Sequence, residues 1–240
     1  MGLKYKRVLI KMSGEALAAG LDTTGEKRPI INDEFLMQVC EKIKECVEMG
    51  VQVSIVVGAG NIWRGKQGEE FDRTRSDHMG MLATVINCLA IQDTLERIGV
   101  ETRVLTAIEM KQFAEPYIRN KAVSHLRKGR VVIFGCGIGS PYFSTDTAAV
   151  LRAKEINADI VLFAKNVDAI YTADPKKDPN AKKLSSISYI DILDKDLGVM
   201  DGTAASFSRD NHLPILVFGL NDPQNIVRAV CGEKIGTLID

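Results

Sequence analysis

Neither sign of charge is in excess in this chain: 31 Lys and Arg stand against 31 Asp and Glu over 240 residues. That balance argues against a basic, nucleic-acid-coating protein, although a local basic pocket stays possible. Cysteine is sparse and unpaired. Cys40, Cys46, Cys88, Cys136 and Cys231 make an odd number at scattered spacings with no CxxC pair. Neither a zinc ribbon nor a disulfide framework is supported, and reduced thiols in a cytoplasm fit best. No apolar run approaches the length of a signal peptide or a membrane span, so a soluble, cytoplasmic protein without a membrane partner is expected. The three histidines (His78, His125, His212) share no metal-ligand spacing. The phosphate motif GxxxxGK[ST] is absent, which excludes a P-loop enzyme. The dinucleotide fingerprint GxGxxG also fails, because Gly135 and Gly137 are followed by a third glycine, Gly139, one place early. That weakens a nicotinamide or flavin enzyme. No repeat, low-complexity tract or linker divides the chain, so one domain over 1–240 is expected.

What is present is an alternation of strand and helix patterns. Arg7–Lys11 reads as a first strand ending in the turn Met12-Ser13-Gly14-Glu15, and 18–29 as a flexible loop. Asn32 or Asp33 caps a helix with an apolar face of Phe35, Leu36, Val39, Ile43 and Val47, closed by Gly50. Val51–Val57 is a second strand, Gly65–Ser76 a mobile loop, and Asp77–Ile98 a long helix. Strands follow at Glu101–Leu105, Val131–Phe134, Asp159–Phe163 and Pro214–Phe218, with a helix at Asp222–Val230. The turn-rich segment 166–184 suggests a small hairpin, and the Asp-rich 191–196 an exposed helix face. The pattern predicts an α/β fold: an open, mostly parallel, twisted sheet with helices on both faces.

Ligands collect at the carboxyl ends of strands in such sheets, and three strand ends carry suitable residues. After the first, Lys11-Met12-Ser13-Gly14 can place a point charge on a phosphate; alone, Lys11 reads more readily as a snorkelling strand-end lysine. After the second, Gly58-Ala59-Gly60-Asn61 allows close backbone approach, and Arg64 can fork onto phosphate oxygens; alone, it reads equally as an ordinary tight turn with a solvated arginine. The third is the stretch Arg130–Val150. A β-branched strand runs into Gly135, Gly137 and Gly139, then into the N-cap cluster Ser144-Thr145-Asp146-Thr147 of an Ala-rich helix, an arrangement suited to anions. Three such ends together suggest a substrate with several phosphates.

The motifs KMSGEAL, GAGNIWRG, SDHMGMLATVINCLAIQD, GIGSPYFSTDTAA and NVDAIYTADPKKDP, spread from Lys6 to the C-terminal GEKIGTLI, closely resemble those of bacterial UMP kinases, a branch of the amino acid kinase superfamily. The resemblance implies a three-layer αβα sandwich, transfer of the ATP γ-phosphate to UMP with Mg²⁺ bound alongside ATP, a homohexamer, activation by GTP and inhibition by UTP. Carried over by position, Lys11, Met12, Ser13 and Gly14 would cradle the ATP phosphates, with Gly60 and Arg64 contacting nucleotide phosphates. Asn166, Tyr171 and Asp174 would hold the adenosine. Ala59, Asp77 and the loop Ile138, Gly139, Ser140, Pro141, Tyr142, Phe143, Ser144 and Thr145 would enclose UMP, Asp77 at the ribose and Thr145 near the phosphate. Asp146 would orient Lys11, and Asp201 would complete the catalytic set near the metal, which the resemblance assigns to no particular ligand. Arg103 and Arg130 match basic positions of the effector site. The chain departs from the family pattern at several places: Ala59 stands for a glycine, Ile138 for a threonine and Lys165-Asn166 for a threonine-containing pair, and the stretch 19–29 is longer than usual, in a region the resemblance links to regulation. Two readings remain beside this one, another kinase of the superfamily acting on an amino acid or carbamate, and a non-catalytic nucleotide-binding regulator.

Overall fold

The structure, a computed structural model, describes residues 2–18, 29–63, 71–173, 178, 180–194 and 197–240. Its strands are β1 (Arg7–Met12), β2 (Gln52–Val57), β3 (Thr102–Thr106), β4 (Glu115–Pro116), β5 (Val131–Gly135), β6 (Ile160–Lys165), β7 (Ser186–Ile187), β8 (Ile215–Gly219) and β9 (Thr237–Ile239). The helices are α1 (Gly14–Leu17), α2 (Asp33–Glu48), α3 (Arg73–Arg97), α4 (Arg119–Arg127), α5 (Thr145–Glu155), α6 (Tyr189–Asp194), α7 (Gly202–Asp210) and α8 (Gln224–Cys231). The strands form one open sheet in the order β4-β3-β5-β2-β1-β6-β8-β9-β7. All pairings are parallel except β8 with β9.

The central strands are apolar on both sides because both sides are covered. Val8, Ile10 and Met12 of β1 join one core with residues of α2, α3 and α8. Leu9 joins the opposite core, with residues of α4, α5, α6 and α7. Each fully buried Leu or Phe in these layers contributes about 1.5–3 kcal/mol. The two-residue period of a strand therefore puts Lys11 on the Leu9 side, facing α5. Register then aligns the strand ends: Lys11 lies beside Val56 on β2 and Phe163 on β6.

Several boundaries differ from those read in the sequence. The expected turn at Met12–Glu15 is partly helical: Ser13 caps α1, its Oγ accepting the Ala16 N–H at 3.3 Å. Asn32, not Asp33, caps α2, accepting from Phe35 N at 3.2 Å. The long helix starts at Arg73 rather than Asp77, because Asp72 caps it and accepts from Arg75 N at 3.0 Å. Residues 73–76 are thus helical and not loop, while 64–70 lie outside the described residues. The segment after β6 folds back on itself, with an antiparallel bridge between Tyr171 and Lys183. Within 191–196, residues 191–194 belong to α6 and 195–196 lie outside the described residues.

Candidate active site

One buried carboxylate lies between two ammonium groups at the ends of adjacent parallel strands. Lys11 Nζ is 2.5 Å from Asp146 Oδ1, and Lys165 Nζ is 3.8 Å from Asp146 Oδ2. Both lysines lie against the Phe163 ring, at 5.8 and 5.4 Å from its centroid. The geometry follows from local rules. Ser144 caps α5, its Oγ accepting from Asp146 N at 2.9 Å and Thr147 N at 3.1 Å. Asp146 thereby sits in the first helical turn, where negative charge is favoured. Burial alone would raise its pKa, yet Lys11 and Lys165 hold it below the ordinary carboxylate value. Burial lowers the Lys165 pKa, and Lys11 lowers it further, against the raising pull of Asp146 and Asp201. Two ammonium groups thus meet at one strand-end corner, a placement that suits a phosphate-bearing ligand, with Asp146 and Asp201 balancing their charge.

Asp201 caps α7, Oδ1 accepting from Ala204 N at 2.9 Å. It also accepts from Thr147 Oγ1 at 3.0 Å and from the Ser144 hydroxyl. Its carboxylate ties the start of α7 to the start of α5, so it supports Asp146 from behind. No group of three or more His, Cys, Asp or Glu is placed to hold a metal among the described residues. Asp201 already uses both oxygens on protein donors, and Asp146 lies between two ammonium groups, so the pair fits poorly as a dedicated Mg²⁺ cage.

The turns after β1 and β2 are pressed together. A Cβ on Gly14 would lie 2.3 Å from Asn61 Oδ1 and 2.7 Å from Gly58 O and Gly60 N, so only glycine fits. Asn87 of α3, fully buried, fixes this contact by donating to Gly58 O and Asn61 Oδ1, both at 2.8 Å. Gly60 therefore sits beside the Lys11–Gly14 turn. Arg64 lies outside the described residues.

Beside these turns opens a small, partly open cavity of about 120 Å³. Of the residues carried over for the acceptor, Ala59, Asp77, Ile138, Ser140, Phe143 and Thr145 line it. Gly139, Pro141, Tyr142 and Ser144 do not. Gly139, at φ +86°, backs onto Ala107, which a Cβ would meet at 3.1 Å. Tyr142 is exposed; its N–H donates to Asp77 Oδ2 at 2.7 Å, and Arg73 lies over its ring. Ser144 is the helix cap. Asp77 also receives Arg73 Nε at 3.0 and 3.1 Å, so one carboxylate joins α3 to the loop that follows β5. The structure adds Gly80, Met81, Thr84, Cys136 and Gly137 to the lining.

Sequence reading marked Lys165 only as a departure from the family pattern and gave it no place beside Lys11 and Asp146. A signal was available: β6 ends in lysine on the face of Phe163, much as β1 nears its end in Lys11 on the face of Leu9. Ending the strand at Phe163 hid it. Of the adenosine residues, Asn166 follows Lys165 and is exposed, Tyr171 donates its hydroxyl to Asp168 at 2.9 Å, and Asp174 lies outside the described residues. Arg103 and Arg130 meet at Glu101, 4.0 and 2.7 Å away, and Arg130 also contacts His125 Nδ1 at 3.2 Å. This cluster lies on the β3 side of the sheet, apart from the lysine pair.

The model of the amino acid kinase family matches residues 6–219. The chain belongs to the amino acid kinase family. Among solved structures, it is similar to UMP kinase from Bacillus anthracis, at 43% identity and a TM-score of 0.91, covering 98% of this chain and 96% of that one. UMP kinase from Ureaplasma parvum matches at 36% identity and a TM-score of 0.90, covering 99% of this chain and 100% of that one. Uridylate kinase from Archaeoglobus fulgidus is more distant, at 28% identity and a TM-score of 0.75, over 97% and 99% of the two chains. The open parallel sheet and the two-sided helical cover are those of this family.

Proposed function

We propose that this chain is a UMP kinase, a single catalytic domain that transfers the γ-phosphoryl group of MgATP to UMP. The observation that carries this reading is the Lys11–Asp146–Lys165 cluster at the strand ends, beside a cavity bordered by Asp77 and Thr145. An oxygen of the UMP phosphate attacks Pγ, the bond from Pγ to the bridging β–γ oxygen breaks, and ADP leaves with that electron pair. The attacking oxygen is already ionised, so no general base is needed. Positioning and electrostatic stabilisation dominate such transfers. Lys11 and Lys165 supply positive charge to the transferring group, Asp146 holds both ammoniums in place, and Asp201 steadies the helix start that carries Asp146.

In this reading the Lys11–Gly14 turn, Gly60 and Arg64 meet the ATP phosphates, and Asn166, Tyr171 and Asp174 the adenosine. Asp77 accepts from the UMP ribose hydroxyls, and Thr145 faces the UMP phosphate. Mg²⁺ enters as part of the donor substrate, carried on ATP oxygens. The homohexamer is supported by Met79, Leu82 and Ile86, which leave an apolar stripe exposed along α3. Regulation by GTP and UTP is assigned to the side of Arg103 and Arg130. A cytoplasmic setting agrees with free Cys40, Cys46, Cys88, Cys136 and Cys231, and no described helix is long and apolar enough to cross a membrane.

The test is ADP release from ATP with UMP, CMP, aspartate and carbamate side by side. UMP-dependent release is expected to exceed the others. Release with an acid and not with UMP would point to another kinase of the family, and ATP binding without turnover to a regulator.

A further inference from the structure

Thr84 lines the cavity, and both hydrogen bonds of its hydroxyl go to protein backbone. It is buried on α3, with Oγ1 donating to Met81 O at 2.6 Å and accepting the Cys136 N–H at 2.9 Å. The first bond is the back-bond that helical threonines make, and it aims the hydroxyl's lone pairs outward. The second lands where the chain leaves β5 and must turn. Cys136 has φ +63°, a left-handed conformation that costs a non-glycine residue of order 1–3 kcal/mol and persists only where its surroundings enforce it. The turn closes with Gly139 N donating to Cys136 O at 2.9 Å, and the loop then passes to Tyr142, held by Asp77. Helix α3 thus grips the loop at both ends: Asp77 near its exit, and Thr84, about 10 Å further along the helix axis, at its start.

We propose that Thr84 is a positioning residue for the acceptor site, which fixes the Cys136 turn and so the backbone wall formed by Gly137 and Ile138. This rests on reading the cavity as the UMP site. Ile138 offers that site no polar side chain, so the wall's recognition groups are its backbone N–H and C=O, whose directions the turn sets.

The test compares Thr84→Val, nearly isosteric but without either hydrogen bond, with Thr84→Ser, which keeps both, and with Thr84→Ala as a second deletion should the valine fold poorly. The deletion is expected to raise KM for UMP about tenfold, in line with one buried N–H left unpaired, with kcat and KM for ATP changed far less and Thr84→Ser restoring the wild-type value. Hydrogen exchange at the Cys136 amide is expected to be slow in the wild type and in Thr84→Ser, and fast in the deletions. Fast exchange with an unaltered KM for UMP, or equal rises in both KM values, overturns the proposal. A wild-type protein that does not bind UMP overturns the reading of the cavity, while the exchange arm still decides whether Thr84 holds the turn.

Discussion

Lys11 and Asp146 meet at 2.5 Å although one ends a strand and the other begins a helix far along the chain. The contact exists because β1 turns Lys11 to the α5 side of the sheet and Ser144 starts that helix where Asp146 falls in its first turn. Removing the ammonium takes away one of the two positive charges at this corner and leaves Lys165 alone beside Asp146. Lys11→Ala is expected to lower kcat with ATP and UMP by about a hundred- to a thousandfold, the cost of losing one strong transition-state donor. Turnover within a few-fold of wild type would exclude the assignment.

Lys165 is expected to matter for the same reason, with a different signature. It is held by Asp146 at 3.8 Å and donates to Val199 O, so Lys165→Met leaves the carboxylate paired with Lys11. A drop in kcat of at least about tenfold, with melting temperature little changed, is the expected result, measured by steady-state kinetics beside thermal unfolding. A purely structural lysine would shift melting and spare kcat.

Asp146→Asn should be the more destabilising change, because it leaves two cations facing each other in a half-closed corner. Losing one partner of a buried pair costs about 3–5 kcal/mol. The pH dependence has a definite sign. The folded-state pKa of Asp146 is depressed below the ordinary 3.8. Its stabilisation is therefore complete above that ordinary value and is lost as pH falls through the lower folded value. The gap in melting temperature between wild type and Asp146→Asn should stay constant from neutral pH down to about 5 and close only below about 4. A gap that closes between pH 8 and 6 would contradict this assignment of charge.

Asp77 joins the loop and, in the proposed reading, the ribose. Asp77→Asn keeps an acceptor for Tyr142 N–H and removes the charge, so KM for UMP should rise several-fold more than KM for ATP. Equal rises would sink the ribose role.

Gly14→Ala tests the close approach of the turns that follow β1 and β2. Its Cβ would collide with Asn61 Oδ1 and with the backbone at Gly58 and Gly60. Destabilisation of about 1–3 kcal/mol is expected from such overpacking, together with a raised KM for ATP. Unchanged melting would show that the turns separate freely.

The sequence made the central sheet legible because its strands are continuous apolar runs ending in glycine or lysine turns, and it made Lys11, Asp77 and Asp146 legible through their motifs. It concealed α4 and α7. Their apolar faces are narrow, Ala122, Val123 and Leu126 in one and Ala204 and Ala205 in the other, and α4 has no side-chain cap. It concealed β9, whose short run pairs antiparallel at the sheet's far side. The start of α3 was misplaced because Asp72 does the capping, ahead of the motif that begins at Ser76. The place of Lys165 was lost to a strand drawn two residues short, and Thr84 could not be found at all, since its role lies in a contact with a distant turn.

The most direct measurement is transfer of label from γ-labelled ATP in the presence of UMP, followed by separation of the nucleotides. Label in UDP, formed by the wild type and about a hundredfold more slowly by Lys11→Ala, is the expected result. Label that stays in ATP, or appears only as inorganic phosphate, would contradict phosphoryl transfer to UMP at this site.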